Sequence, residues 1–195
     1  MIIRRTEFIT SAASEKGFIK PDRPLIAVCG KSNVGKSSFI NALANNGKLA
    51  RTSNTPGRTR LVNYFDFGEF ILADLPGYGF AKVSREEKLK WAALLEAFFS
   101  RSQDISHVFS LMDIRHDPTE DDKSLIAYLY HYRIPFVVVA TKADKLPKTK
   151  IKPQLQRIAT ELKIGIGDIT ASSAETGLGR EDILALIEKA INIQE

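Results

Sequence analysis

The segment Gly30-Lys31-Ser32-Asn33-Val34-Gly35-Lys36-Ser37 constrains this 195-residue chain more than any other feature. Its spacing is G-x-x-x-x-G-K-[ST], it follows the apolar run at 25–29, and a helix-like stretch at 37–46 comes after it. A glycine turn between strand and helix lets backbone N–H groups face inward around phosphate oxygens, and the helix N-terminus adds positive potential. Lys36 is then placed to reach the β- and γ-phosphates of a nucleotide, and the Ser37 hydroxyl to ligate Mg²⁺.

The rest of the chain alternates in the same way. Strands are expected at 61–67, 70–73, 108–112, 136–140 and 169–171 besides 25–29, and helices at 84–102, 119–132, 155–162 and 180–193. Ser84 with Glu87 has capping-box spacing, and Gly68-Glu69 joins two strands as a hairpin. The almost purely β-branched run at 136–140 marks a strand buried on both faces. Pro147 and Pro153 should keep irregular the start of the 145–157 stretch. The pattern predicts an α/β domain: a mostly parallel six-stranded sheet, one antiparallel edge strand, and helices on both faces. Residues 1–22, closed by Pro21 and Pro24, read as an arm packing on a domain that spans 23–195.

In such sheets the ligand site lies on the loops after the strands' carboxyl ends. Three further motifs fall there. Thr141-Lys142-Ala143-Asp144 follows the buried strand and fits the [N/T]-K-x-D pattern of guanine readers. The Asp144 carboxylate can accept hydrogen bonds from guanine N1–H and its 2-amino group. Adenine offers no such pair, and an unpaired buried polar group costs about 1–3 kcal/mol. The stem of Lys142 can lie over the base, and Thr141 can hold the phosphate loop more weakly than the commoner asparagine. Ser172-Ser173-Ala174 follows the last strand and is similar to loops whose backbone N–H groups meet guanine O6. Asp74-Leu75-Pro76-Gly77 fits D-x-x-G, with Asp74 holding Mg²⁺ through a water and the Gly77 N–H sensing the γ-phosphate. These motifs point to GTP and GDP rather than ATP.

Upstream, Gly57-Arg58-Thr59-Arg60-Leu61 precedes a strand, where a switch loop closes over Mg²⁺ and the γ-phosphate. Thr59 is the chosen ligand, with Thr55 and Thr52 as competitors. Tyr78, not glutamine, follows the D-x-x-G glycine, and residues 52–101 contain no glutamine. Hydrolysis by the isolated chain should be slow without a water-orienting amide. Asn33 either braces the loop through its backbone or helps hold a monovalent cation such as K⁺.

Composition bounds the setting. With 44% hydrophobic and 26% charged residues the chain is an ordinary globular one, neither disordered nor fibrous. The lone Cys29 excludes an intramolecular disulfide and reads as core filler, as in a reducing cytosol. The start lacks a signal peptide's apolar middle and no apolar run is long enough for a bilayer, so a cytoplasmic protein without membrane contact is expected. His107, His116 and His131 lie on different elements without metal-ligand spacing, and Trp91 with Phe98-Phe99 reads as helix packing. The formal charge of +5 serves solubility or a polyanionic partner such as RNA. Its excess clusters at Lys145, Lys148, Lys150, Lys152 and Arg157, and at Arg51, Arg58 and Arg60.

The phosphate loop with Ser38-Phe39-Ile40-Asn41, Ala50-Arg51-Thr52-Ser53, Pro56-Gly57-Arg58-Thr59, Asp74 to Ala81, Asp113-Ile114-Arg115-His116 and Thr141 to Asp144 together resemble the bacterial EngB (YihA/YsxC) GTPases. These belong to the TrmE–Era–EngA–EngB–septin-like class of P-loop GTPases. The likeness runs over nearly the whole chain and includes the arm segment Glu7-Phe8-Ile9-Thr10-Ser11-Ala12. Ala171 departs from it, standing where a larger residue is common. The resemblance implies a Ras-like G domain, Mg²⁺ at Ser37 and Thr59, and a role in large-subunit assembly with a link to cell division and septation. The implied partner is the large ribosomal subunit or its precursor, with rRNA and ribosomal proteins, and the chain is expected to be a monomer. Two readings stand: a slow GTPase acting as a switch, and a GTP-regulated RNA- or ribosome-binding module in which hydrolysis is incidental. Asp144 disfavours an ATPase.

Overall fold

A computed structural model describes residues 1–50, 61–79 and 85–192. The expected switch residues Thr52, Thr55, Gly57, Arg58, Thr59 and Arg60, the Ser84 cap and the end of the last helix at Ile193 lie outside the described residues. In chain order the strands and α-helices are β1 (Glu7–Ala12), β2 (Leu25–Gly30), α1 (Lys36–Ala44), β3 (Val62–Asp66), β4 (Ile71–Asp74), α2 (Arg85–Phe99), β5 (Ile105–Asp113), α3 (Glu120–His131), β6 (Phe136–Thr141), α4 (Lys148–Leu162), β7 (Ile169–Ala171) and α5 (Arg180–Asn192).

One sheet of order β1-β3-β4-β2-β5-β6-β7 runs through the molecule. β2 pairs in parallel with β4 and β5, β5 with β6, and β6 with β7. Its central strands are apolar on both faces because helices cover both. Alternation along β2 divides the core: Ala27 and Cys29 pack with α2, α3 and α4 residues such as Phe98, Leu129 and Ile158. Ile26 and Val28 face the opposite way, onto Phe39 and Ile40 of α1 and Ile183 and Ile187 of α5. Cys29 is core filler, and burial pushes its thiol up to about 12.

The sheet is wider than the sequence pattern indicates. β1, from the arm, pairs antiparallel with β3 from Glu7↔Asp66 to Ala12↔Val62, and β3 pairs antiparallel with β4. The seventh strand was not legible because only Ala12 of its six residues is buried, so it carries almost no apolar alternation. Backbone pairing to β3 and the edge contact of Phe8 with Phe65, 5.8 Å between centroids, hold it instead. α4 also differs: it starts at Lys148, earlier than expected, with Pro153 inside it. Proline tolerates only the first turn well, and here burial of Ile158, Ala159 and Leu162 carries the helix past the lost bond. Among the described residues no helix is long and apolar enough to cross a membrane.

Candidate functional site

At the carboxyl edge of the sheet the turn after β2 wraps the first residues of α1. Gly35 sits at φ 103°, a left-handed conformation that glycine adopts freely, and Asn33 shares that region at φ 62°. Lys36, the first residue of α1, points its amine toward Asp74 at the end of β4, with Nζ 4.0 Å from Oδ1. That Asp74 oxygen is buried without a hydrogen-bond partner. Burial pushes the Asp74 carboxyl up, against the lowering pull of Lys36 and a hydrogen bond from Asn63. An orphaned buried acceptor beside the phosphate loop, with the Ser37 hydroxyl one residue after Lys36, is a donor set that fits a hydrated divalent cation.

The D-x-x-G loop lies directly on the phosphate loop. Ser32 N–H donates to the Tyr78 carbonyl at 2.8 Å, and Tyr78 N–H to the Gly30 carbonyl at 3.4 Å. A Cβ on Gly77 would lie 3.2 Å from Lys36 Nζ and from Ser32 N, so any larger residue would require these neighbours to give way by a few tenths of an ångström. Tyr78 is buried and its hydroxyl donates to Asp122 Oδ1. Trp91 packs on it, and its indole N–H donates to the Pro76 carbonyl at 3.0 Å. The expected helix-packing role of Trp91 therefore includes bracing this loop.

The T-K-x-D loop at the end of β6 lies against the phosphate loop. The Thr141 hydroxyl is shared between the carbonyls of Val34, at 2.7 Å, and Met112, at 3.0 Å. Lys142 donates to the Asn33 carbonyl at 2.8 Å and pairs with Asp113 at 2.9 Å, which lays its stem across the phosphate loop. Asp144 accepts from the Ser173 hydroxyl at 2.7 Å and pairs with Lys145 at 2.8 Å, and both partners hold its carboxyl below the usual range. The loops interlock through Ala143 N–H on the Ser172 carbonyl and Ser172 N–H on the Ala140 carbonyl. Between them lies a cavity of about 130 Å³, lined among others by Gly35, Phe39, Lys142, Asp144, Ser172 and Ala174.

Of the expected site residues, Gly30 to Ser37, Asp74 to Gly77, Thr141 to Asp144 and Ser172 to Ala174 converge on this edge, and Leu61 opens β3's approach. The 57–60 stretch lies outside the described residues. Asp113 and Arg115 had been given no role. Burial pushes the Asp113 carboxyl up, but hydrogen bonds from Arg115 and Lys142 outweigh it and hold the group well below the usual range. Their signals in sequence were the Asp113-Ile114-Arg115-His116 segment of the family resemblance and position: Asp113 ends β5, beside Thr141 across the ladder.

A phosphate loop, a D-x-x-G loop on the neighbouring strand and a T-K-x-D loop around one cleft define a P-loop GTPase domain. Residues 25–142 match the family described as 50S ribosome-binding GTPase. The chain is 44% identical over 193 residues to a probable GTP-binding protein EngB of Desulfitobacterium hafniense (strain DSM 10664 / DCB-2), covering 98% of this chain and 96% of that one. The probable GTP-binding protein EngB of Bacillus cereus (strain B4264) is 41% identical over 191 residues, 97% and 96% of the two chains. The crystal structure of a probable GTP-binding protein engB superposes with a TM-score of 0.73 at 22% identity, over 86% of this chain and 98% of that chain. The chain belongs to the EngB family and is a GTPase.

Proposed function

We propose that the chain is a guanine-nucleotide switch that hydrolyses GTP slowly and acts in assembly of the large ribosomal subunit, with a consequent role in cell division and septation. The observation that carries the nucleotide reading is the convergence of Lys36, the orphaned Asp74 oxygen and the Asp144 cavity on one edge. In this reading backbone N–H groups of Gly30 to Ser37 cradle the phosphates, and Lys36 bonds the β- and γ-oxygens. Asp144 accepts from guanine N1–H and the 2-amino group, and Ser172, Ser173 and Ala174 offer N–H groups to O6. Ser37 and Thr59 are the direct Mg²⁺ ligands and Asp74 a ligand through water. Bound there, Mg²⁺ neutralises developing charge on the β- and γ-oxygens. Gly77 N–H senses the γ-phosphate, and Thr59 lies outside the described residues.

The large-subunit partner is supported by the matched family's description and by a net charge of +5. Lys148, Lys150, Lys152 and Arg157 are exposed along α4. Residues 1–22 are then an arm on the 23–195 nucleotide unit, and the setting is the cytoplasm, with the chain as a monomer. Pulldown from a bacterial lysate with a non-hydrolysable GTP analogue should recover large-subunit particles, and GDP should not. Equal recovery in both states would remove the switch.

The committed Tyr78 hydroxyl favours the second reading, a GTP-regulated RNA- or ribosome-binding module in which hydrolysis is incidental. Single-turnover hydrolysis with and without ribosomal particles separates the two. Bracing by Asn33 runs through its backbone carbonyl while the residue itself is exposed, which suits a side chain available to K⁺. Hydrolysis in KCl should then exceed that in NaCl at matched ionic strength, and identical rates would discard the cation.

A further inference from the structure

Three elements hold Tyr78, which is 3% exposed. Its backbone is bonded on both sides to the phosphate loop, through Ser32 N–H and the Gly30 carbonyl. Its ring lies 5.7 Å from that of Trp91 on α2. Its hydroxyl donates at 2.7 Å to Oδ1 of Asp122, a buried carboxylate in the first turn of α3. The other oxygen of Asp122 accepts from Thr119 N–H at 2.8 Å and from the Thr119 hydroxyl at 2.6 Å, the bonds that close the start of α3. Tyr78 therefore links Ser32 of the phosphate loop, through its backbone carbonyl, to Asp122 and Thr119 at the head of α3, through its hydroxyl.

We propose that Tyr78 is a positioning residue that couples the D-x-x-G loop to the first turn of α3, so that the phosphate state of the bound nucleotide is read out there. The proposal rests on the guanine-nucleotide reading above. A Cβ on Gly77 would lie 3.2 Å from Lys36 Nζ and from the Ser32 backbone, so the D-x-x-G loop and the phosphate loop leave little free space here. A phosphoryl group shared by Lys36 and Gly77 needs room between them, and making that room shifts the Tyr78 backbone off Ser32. The hydroxyl resists, because leaving Asp122 strands a buried carboxylate. A ring that only filled the core would need no hydroxyl, since phenylalanine fills the same space. The structure holds the loop at both Ser32 and Asp122; in the proposal, the phosphoryl group favours a second arrangement that gives up the Ser32 bond, and such a two-state loop is the kind of element through which distant surfaces are coupled.

Tyr78→Phe keeps the packing on Trp91 and removes the bond to Asp122. The expected result is a shift of about five-fold or more, toward the non-hydrolysable GTP analogue, in its affinity relative to GDP, the lower end of common coupling strengths. Amide exchange at Thr119 to Asp122 should differ between the two nucleotides in the wild type and lose that difference in Tyr78→Phe. The single tryptophan, Trp91, gives a fluorescence report of the same loop. A purely structural tyrosine would lower stability while leaving the affinity ratio and the exchange difference intact, and that outcome overturns the proposal. If Tyr78→Phe does not fold, wild-type exchange decides: identical protection of the α3 start in both nucleotide states overturns it equally. Wild-type protein that binds neither nucleotide would instead remove the site reading itself.

Discussion

One hydroxyl joins the two halves of the site. Thr141 bonds carbonyls of the phosphate loop and of β5 together, so Thr141→Val, nearly equal in shape, should cost about 1–3 kcal/mol by stranding buried acceptors. A urea midpoint unchanged from wild type would contradict this. Lys36→Ala should weaken nucleotide binding without unfolding the domain, with some drop in the thermal midpoint because the buried Asp74 carboxyl loses its facing amine. Retained GTP affinity in that variant would overturn the phosphate-loop roles. Asp113 adds a pH dependence of known sign. Its folded pKa is held below its unfolded value, so its stabilisation is full above the ordinary carboxylate value of about 3.9 and is lost as pH falls toward the depressed one. Stability of Asp113→Asn should therefore decline less steeply than wild type below about pH 4, as read from urea midpoints across pH. The residues proposed to meet the nucleotide could be picked out in the sequence because phosphate and guanine chemistry dictates their types and spacing. The Asp113 pairing with Lys142 and the Tyr78 hydroxyl's bond to Asp122 could not, because those partners come from distant elements that only the fold brings together.

At the scale of elements, alternation and apolar density located the central strands correctly, since burial on both faces leaves a strong signature in β2 and β6. β1 left none: an exposed edge strand is specified by backbone pairing, which sequence pattern does not record. Phe8→Ala, removing the ring that meets Phe65 at the edge, should cost about 1 kcal/mol. Differential scanning should show a small drop in midpoint with nucleotide affinity preserved. Equal stability would mean the β1 pairing contributes through backbone alone.

For the whole molecule, charge and nucleotide state meet. If rRNA is the polyanion, association with large-subunit particles must weaken steeply with salt, because each neutralised phosphate releases counterions. It must also favour the GTP state, since nucleotide and partner affinities are reciprocally linked. Turnover by the purified chain is expected on the order of 10⁻³ s⁻¹ or lower, the range of unassisted GTPases. All of this depends on Asp144 reading guanine at the mouth of the cavity. The most direct test is competition of GTP, GDP, ATP and a xanthine nucleotide for the wild type and for Asp144→Asn. The wild type should bind GTP and GDP with ATP competing poorly, and Asp144→Asn should lose guanine and gain xanthine, whose 2-oxo group accepts from the amide. Equal affinity of the wild type for ATP and GTP would contradict the account.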